Sequence, residues 1–348
     1  PGPFTPAELI RAILRAPVDL LWNGGIGTFV RAVQERDGDV GDKGNDGVRV
    51  TAASLRCRVV GEGGNLGLTQ LARIELARRG GRLDTDFIHN AGGVSCSDHE
   101  VNIKILLDQV VADGDLTLKQ RNRLLEEMTD EVARLVLQDC YWQGRAIGLD
   151  ELRAAELLAE QGRFMRALEQ GGALSRALEC LPDEEAIAER QAAGAGLTCP
   201  EIAVLISYAK HTLYQDLLDS DLPEDPCVGA ELEHYFPRPL RKRFRDRIHT
   251  HRLRREILAA SLANRVINRN GSTSVFRLRE ELGVSAAAAV RANLVSWEVF
   301  GLRRLWSGVA ALDGRAPDAL LRQLLADGGR LMARANRWLM RNAKGPIR

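Results

Sequence analysis

Three short runs in the first third of the chain place glycine beside asparagine: Asn23-Gly24-Gly25-Ile26-Gly27, Glu62-Gly63-Gly64-Asn65 and Asn90-Ala91-Gly92-Gly93. Glycine lets backbone approach a bound molecule closely. A carboxamide donates and accepts hydrogen bonds at once. Ser97, four residues past Gly93, adds a hydroxyl. None of these runs is a nucleotide loop by its own pattern. Gly25-Ile26-Gly27 and Gly61-Glu62-Gly63 lack the third glycine of GxGxxG and an acidic residue about 20 positions on, and no Walker lysine is present. On residue types alone, they are ligand-facing loops whose ligand is unspecified.

Other groups with chemical potential are dispersed. The six cysteines (Cys57, Cys96, Cys140, Cys180, Cys199, Cys227) form no CxxC pair, which predicts free, buried thiols in a reducing, cytoplasmic compartment and no metal site. His249 and His251 are two apart and so face different sides of a helix. Asp37-Gly38-Asp39-Val40-Gly41-Asp42 lacks the glycine and the terminal acid of a calcium loop. Arg238–Arg255 holds nine basic residues in eighteen, with Leu240, Phe244 and Ile248 recurring every four positions. An acidic stretch (Asp216, Asp219, Asp221, Glu224, Asp225) precedes it, so a salt-bridged surface is expected in preference to an RNA-binding face.

The elements that must carry the three turns follow from patterning. Val18–Trp22, Arg56–Val60 and the pair Phe87, Ile88 each read as a short buried strand running into a glycine turn and then a helical segment, as in a parallel α/β sheet. Ligands sit at the carboxyl ends of such strands. Near residue 115 the composition becomes helical. Thr117 with Gln120 and Thr198 with Glu201 spell capping boxes, and Leu197 with Ile202 forms a staple across the second. Leu124, Leu125, Met128, Val132, Leu135 and Val136 keep a helical period, as do Ile202, Leu205, Ile206, Ala209, Leu213 and Leu217. Further helices are expected near 240–268, 285–305 and 317–342, with hinges at Gly171-Gly172 and 192–196. The fold class expected is α/β followed by all-α: the second half of a Rossmann-like parallel sheet, then a helical bundle region. Composition agrees with a globular chain. Of 348 residues, 45% are hydrophobic, and 48 Lys+Arg against 47 Asp+Glu give a net charge of +1. That balance disfavours a dedicated nucleic-acid or membrane-surface binder, and no run approaches the roughly 18 apolar residues of a membrane span.

Two runs taken together are more specific. Glu62-Gly63-Gly64-Asn65 with Thr69 resembles the E-G-A-N-x-P-T-T turn of the glutamate dehydrogenase family. Asn90-Ala91-Gly92-Gly93-Val94-Ser95-Cys96-Ser97-Asp98-His99-Glu100, twenty-five residues after Asn65, resembles its N-A-G-G-V-x-x-S-x-x-E. The wording of Leu21–Thr28 and Ser97–Lys104 is similar to the large-subunit, NAD-specific bacterial members, and the resemblance covers nearly the whole chain. Gly64 stands where the family has Ala, and Gly67 and Leu68 replace its Pro and first Thr. The resemblance implies NAD as cofactor and oxidative deamination of L-glutamate to 2-oxoglutarate and ammonia. It implies cofactor contacts from Asn23, Gly24, Gly25, Glu62, Gly63, Gly64, Asn65, Asn90 and Gly92. It implies substrate contacts from Val94 on the glutamate methylenes and from Ser97, in the first turn of the helix after Gly93, on the side-chain carboxylate. Asp98, His99 and Glu100 are expected to be structural.

The lysine and carboxylate that such a deamination needs are expected in an upstream catalytic region of the same polypeptide, so no catalytic residue is assigned here. The domains expected are 1–115, the C-terminal part of the NAD-binding catalytic domain; 116–190, a helical connecting region; and 191–348, a helical C-terminal domain. A homo-oligomer is expected, with no nucleic-acid or membrane partner. The rival expectation is a non-catalytic helical regulatory or oligomerisation module that retains a partial nucleotide-fold scaffold.

Overall fold

A computed structural model describes residues 2–343. Along the chain run α1 (Pro6–Leu14), β1 (Leu20–Asn23), β2 (Val30–Arg31), α2 (Asp37–Val40), β3 (Val50–Thr51), β4 (Val59–Glu62), α3 (Gln70–Arg78), α4 (Asp86–His89), α5 (Ala91–Ala112), α6 (Leu118–Glu127), α7 (Thr129–Leu152), α8 (Ala154–Gln170), α9 (Glu184–Ala192) and α10 (Cys199–Leu218). There follow α11 (Gly229–Tyr235), α12 (Arg238–Arg243), α13 (Arg245–His249), α14 (Arg254–Asn270), α15 (Ser274–Leu282), α16 (Ala286–Val299), α17 (Leu302–Ala310) and α18 (Asp318–Asn342). The protein is thus mostly helical, with a few short parallel strands. It forms two compact units: residues up to Ala91 with Arg153–Leu205, and Gly92–Leu152 with the chain from Ile206 onward. Each of the linear segments 1–115, 116–190 and 191–348 contributes to both units.

In the first unit β1 and β4 pair in parallel, Leu20 opposite Val59 and Asn23 opposite Glu62. A second parallel pair joins β2 to β3, with Leu68 bridging to Val30. Between them lie Val30, Val50, Leu55, Val60, Leu68, Ala72 and Leu76, a dry core of apolar side chains whose burial drives this unit together. The expected third strand at Phe87 and Ile88 is instead the single helical turn α4. The place beside β4 is taken five residues earlier, where Val60 N donates to Arg82 O at 3.0 Å and Arg82 N donates to Arg58 O at 2.9 Å. Asp86 explains the shift: its carboxylate accepts from the Phe87 and Leu66 amides at 2.9 and 2.7 Å, bonds that turn the chain rather than extend it. The strands β1 and β4 also start two to three residues later than patterning placed them.

The Thr117 capping box is complete, and the one at Thr198 is made from its amide and hydroxyl to Glu201. The Thr117 amide donates to the Gln120 side chain at 2.8 Å, and the Thr198 amide to the Glu201 carboxylate at 2.7 Å. Every apolar residue of the α10 stripe is buried. In the second unit a tryptophan-rich core (Trp142, Trp297, Trp306 with Leu321, Leu325 and Met332) is enclosed by helices. The helix expected over 240–268 is three helices, and that over 285–305 is two, parted at Gly301 with φ +58°. Among the described residues, no helix is long and apolar enough to cross a membrane.

Candidate functional site

The register of β1 and β4 ends both strands level, so their glycine turns emerge side by side. Gly63 N donates to Asn23 O at 2.8 Å, and the Asn23 side chain accepts from Gly25 N at 3.3 Å. A methyl group on Gly64 would lie 2.6 Å from Gly25 O, and one on Gly63 would lie 2.9 Å from the Trp22 ring. The closeness of the two turns therefore depends on bare backbone at Gly64, whereas methyl groups on Gly24 and Gly25 would meet nothing closer than 3.5 Å. The left-handed position in the second turn is Leu66, with φ +60°, rather than Asn65. Asn90 closes α4, and its amide nitrogen donates to the Asn65 carbonyl oxygen. Two carboxamides far apart in sequence thus meet at one place. The exposed Asn65 keeps its amide nitrogen, and Asn90 its carbonyl oxygen, for another partner.

Glu62 sits differently. It is 0% exposed, and its carboxylate accepts from Arg73 Nε at 2.8 Å, Arg73 Nη2 at 2.9 Å and Leu68 N at 3.1 Å. Arg73 also reaches Asp86 at 3.2 Å, and Asp86 holds Leu66 N. The Glu62 side chain is a brace beneath the turn, its buried carboxylate held by Arg73 and Leu68 N rather than turned toward a ligand. Sequence patterning missed Arg73 and Asp86. The available signal was an arginine amid Ala72, Ile74 and Leu76 on the inner side of α3, since a cation so placed requires a buried acid.

Helix α5 departs from expectation at its start. It begins at Ala91 and takes Gly92, Gly93 and Val94 into its first turn, so Ser97 lies in the second turn and is not an N-cap. Small side chains put no steric obstacle in the way of an early start, and α4 ends immediately before it. Val94 (72% exposed) and Ser97 lie on the open side of α5, whereas His99, Asn102, Ile103, Leu106 and Leu107 face the core. The Ser97 hydroxyl makes no hydrogen bond among the described residues. Gly92 packs on α7, where an added methyl would stand 3.7 Å from Cys140 Sγ.

The basic run of α12–α14 is largely met by acids within its own unit. Glu224 pairs with Arg254 and Arg255, Asp113 and Asp115 with Arg247, and Glu233 with Arg245. Of the acidic stretch, Asp216, Asp221 and Asp225 pair instead with Arg279 and Arg291. All six cysteines are free, but only Cys57 is buried and Cys96 and Cys227 are exposed, contrary to expectation; no group of three metal-ligating side chains occurs among the described residues.

The bacterial NAD-glutamate dehydrogenase catalytic domain family matches residues 2–150, and the glutamate dehydrogenase C-terminal family matches residues 194–348. The chain is 49% identical over 342 residues to the NAD-specific glutamate dehydrogenase of Halomonas elongata, covering 98% of this chain. It is 50% identical to that of Pseudomonas aeruginosa and 46% identical to that of Mycobacterium tuberculosis, each over 99% of this chain. It spans 21% of the length of each of these relatives. The chain therefore belongs to the NAD-specific glutamate dehydrogenase family, which it matches through a catalytic-domain segment and a C-terminal segment.

Proposed function

We propose that this chain supplies the nicotinamide-facing turns and the glutamate-facing helix of an NAD-specific glutamate dehydrogenase, which converts L-glutamate to 2-oxoglutarate and ammonia. The segment 1–115 then serves as the closing part of a Rossmann-like NAD-binding domain. The observation that carries this is the meeting of Asn65, in the glycine turn after β4, with Asn90 at the end of α4. The free amide of one and the free carbonyl of the other match the acceptor and donor of a carboxamide such as that of nicotinamide. Bound NAD would supply the hydride acceptor. Gly24, Gly25, Gly63 and Gly64 would admit it close to backbone, and Glu62 would hold the second turn from below. On α5, Val94 would pack on the substrate methylenes, and the unpartnered Ser97 hydroxyl would donate to the side-chain carboxylate. Proton transfer would fall to a lysine and a carboxylate outside this chain.

One kinetic comparison in the full-length dehydrogenase tests this. Ser97→Ala is expected to raise the glutamate KM by about tenfold or more, the equivalent of a charge-assisted hydrogen bond of roughly 1.5–3 kcal/mol, while the NAD KM stays put. Asn65→Ala is expected to do the reverse. Unchanged KM values for both substrates in both variants would overturn the assignment.

A further inference from the structure

We infer that Tyr235, in the helical C-terminal region, is a positioning residue for Ser97, which rests on Ser97 being the glutamate contact proposed above. The opening of α5, Ala-Gly-Gly-Val-Ser, is intrinsically poor helix: each glycine costs about 1 kcal/mol relative to alanine. Something beyond local propensity must therefore hold its rotation and register.

Tyr235, the last residue of α11, does so from across 137 positions of sequence. Its hydroxyl donates to Asp98 Oδ2 at 2.7 Å and accepts from Asn102 Nδ2 at 2.9 Å, so it clasps two consecutive turns of α5 at once. Asn102 Nδ2 also reaches back to Asp98 O at 3.1 Å and Asp98 Oδ1 at 3.3 Å. The Tyr235 ring stacks on His99, with centroids 4.5 Å apart and planes at 28°. Its own position is fixed by the edge of the fully buried Phe236, 5.1 Å away. A third tie comes from His251, whose Nε2 lies 3.1 Å from Asn102 O.

Asp98 is the residue next to Ser97. Fixing the Asp98 carboxylate on one side of α5 fixes the direction of the Ser97 hydroxyl about 100° around the helix. If the clasp is released, the glycine-rich start can rotate or fray, and Ser97 loses its aim although no atom of Tyr235 touches substrate. The C-terminal region thereby acquires a part in substrate binding.

A double-mutant cycle in the full-length enzyme tests this. Tyr235→Phe keeps the ring on His99 and removes both hydrogen bonds. It is expected to raise the glutamate KM roughly three- to tenfold and to leave the NAD KM unchanged. In a Ser97→Ala background the same substitution should have no further effect, because a residue acting through Ser97 has nothing left to position. Asp98→Asn, which weakens the bond from the other side, is the second variant and should move the same constant in the same direction. If the Tyr235→Phe effect persists undiminished in the Ser97→Ala background, or if the NAD KM rises equally, the inference is overturned and the clasp is structural only. A glutamate KM raised by Ser97→Ala but untouched by Tyr235→Phe and Asp98→Asn also overturns it, leaving the Ser97 assignment standing. An unchanged KM in Ser97→Ala removes both.

Discussion

Gly64 shows how a single residue sets the distance between the two turns. The family motif has alanine at this place, yet a methyl group here would meet Gly25 O at 2.6 Å, well inside van der Waals contact. Gly64→Ala, though it restores the family residue, is therefore expected to push the turn after β4 away from the turn after β1. The cost should be about 1–3 kcal/mol, as for other overpacked sites, accompanied by a raised NAD KM. Thermal unfolding and steady-state kinetics of the variant check both, and a variant with native stability and native NAD KM would show that the turns tolerate the methyl. At this scale the sequence disclosed which residues matter better than what they touch. Asn65 and Asn90 were visible as motif residues, but their mutual hydrogen bond depends on where α4 ends. Glu62 was visible as an acid in a glycine turn, but its inward direction depends on Arg73.

That buried cluster is where residues become an element. The strand β4, the turn after it and the starts of α3 and α4 are joined by Glu62, Arg73 and Asp86, with Leu66 N and Leu68 N as the backbone ends of the network. Arg73→Met would fill much of the same space but leave two carboxylates in a site closed to water. Breaking one side of a buried pair typically costs about 3–5 kcal/mol, mostly from the stranded charge. Denaturant unfolding should show a loss of that size for Arg73→Met, and Glu62→Gln on top of it should recover part of it by removing one stranded charge. A loss below about 1 kcal/mol would mean that the acids find water or a proton at little expense. The elements legible in advance were those with local chemistry: the Thr117 and Thr198 caps and the α10 stripe are written within a few residues of themselves. The strand expected at Phe87 and Ile88 was not legible, because two apolar residues carry no period and the Asp86 bonds that turn them helical reach to Leu66, twenty positions back. The break after α16 falls at Gly301, whose left-handed backbone ends the helix without any loss of apolar period.

For the whole molecule the division into two units, each assembled from separated stretches of chain, was beyond reach of composition, which varies along the sequence and not through space. One consequence can be tested on the chain expressed alone. The outer edge of β1 has no strand beside it among the described residues, and Leu20 and Trp22 are exposed there. Helix α1 buries none of its residues and leaves Leu9, Ile10 and Ile13 in solvent. An unpaired edge flanked by apolar side chains favours self-association, so light scattering should rise with concentration, while circular dichroism reports the helices intact. NAD affinity should be negligible. In dinucleotide folds the pyrophosphate is held at a GxGxxG turn and the helix N-terminus behind it, and neither turn beside β1 or β4 has that pattern. The Asn65–Asn90 pair and a few backbone groups cannot by themselves offset an association cost of roughly 4–15 kcal/mol. Calorimetric titration of the isolated chain with NAD decides the matter: no measurable heat is expected, and micromolar binding or glutamate-dependent formation of NADH would place the cofactor site wholly within these residues.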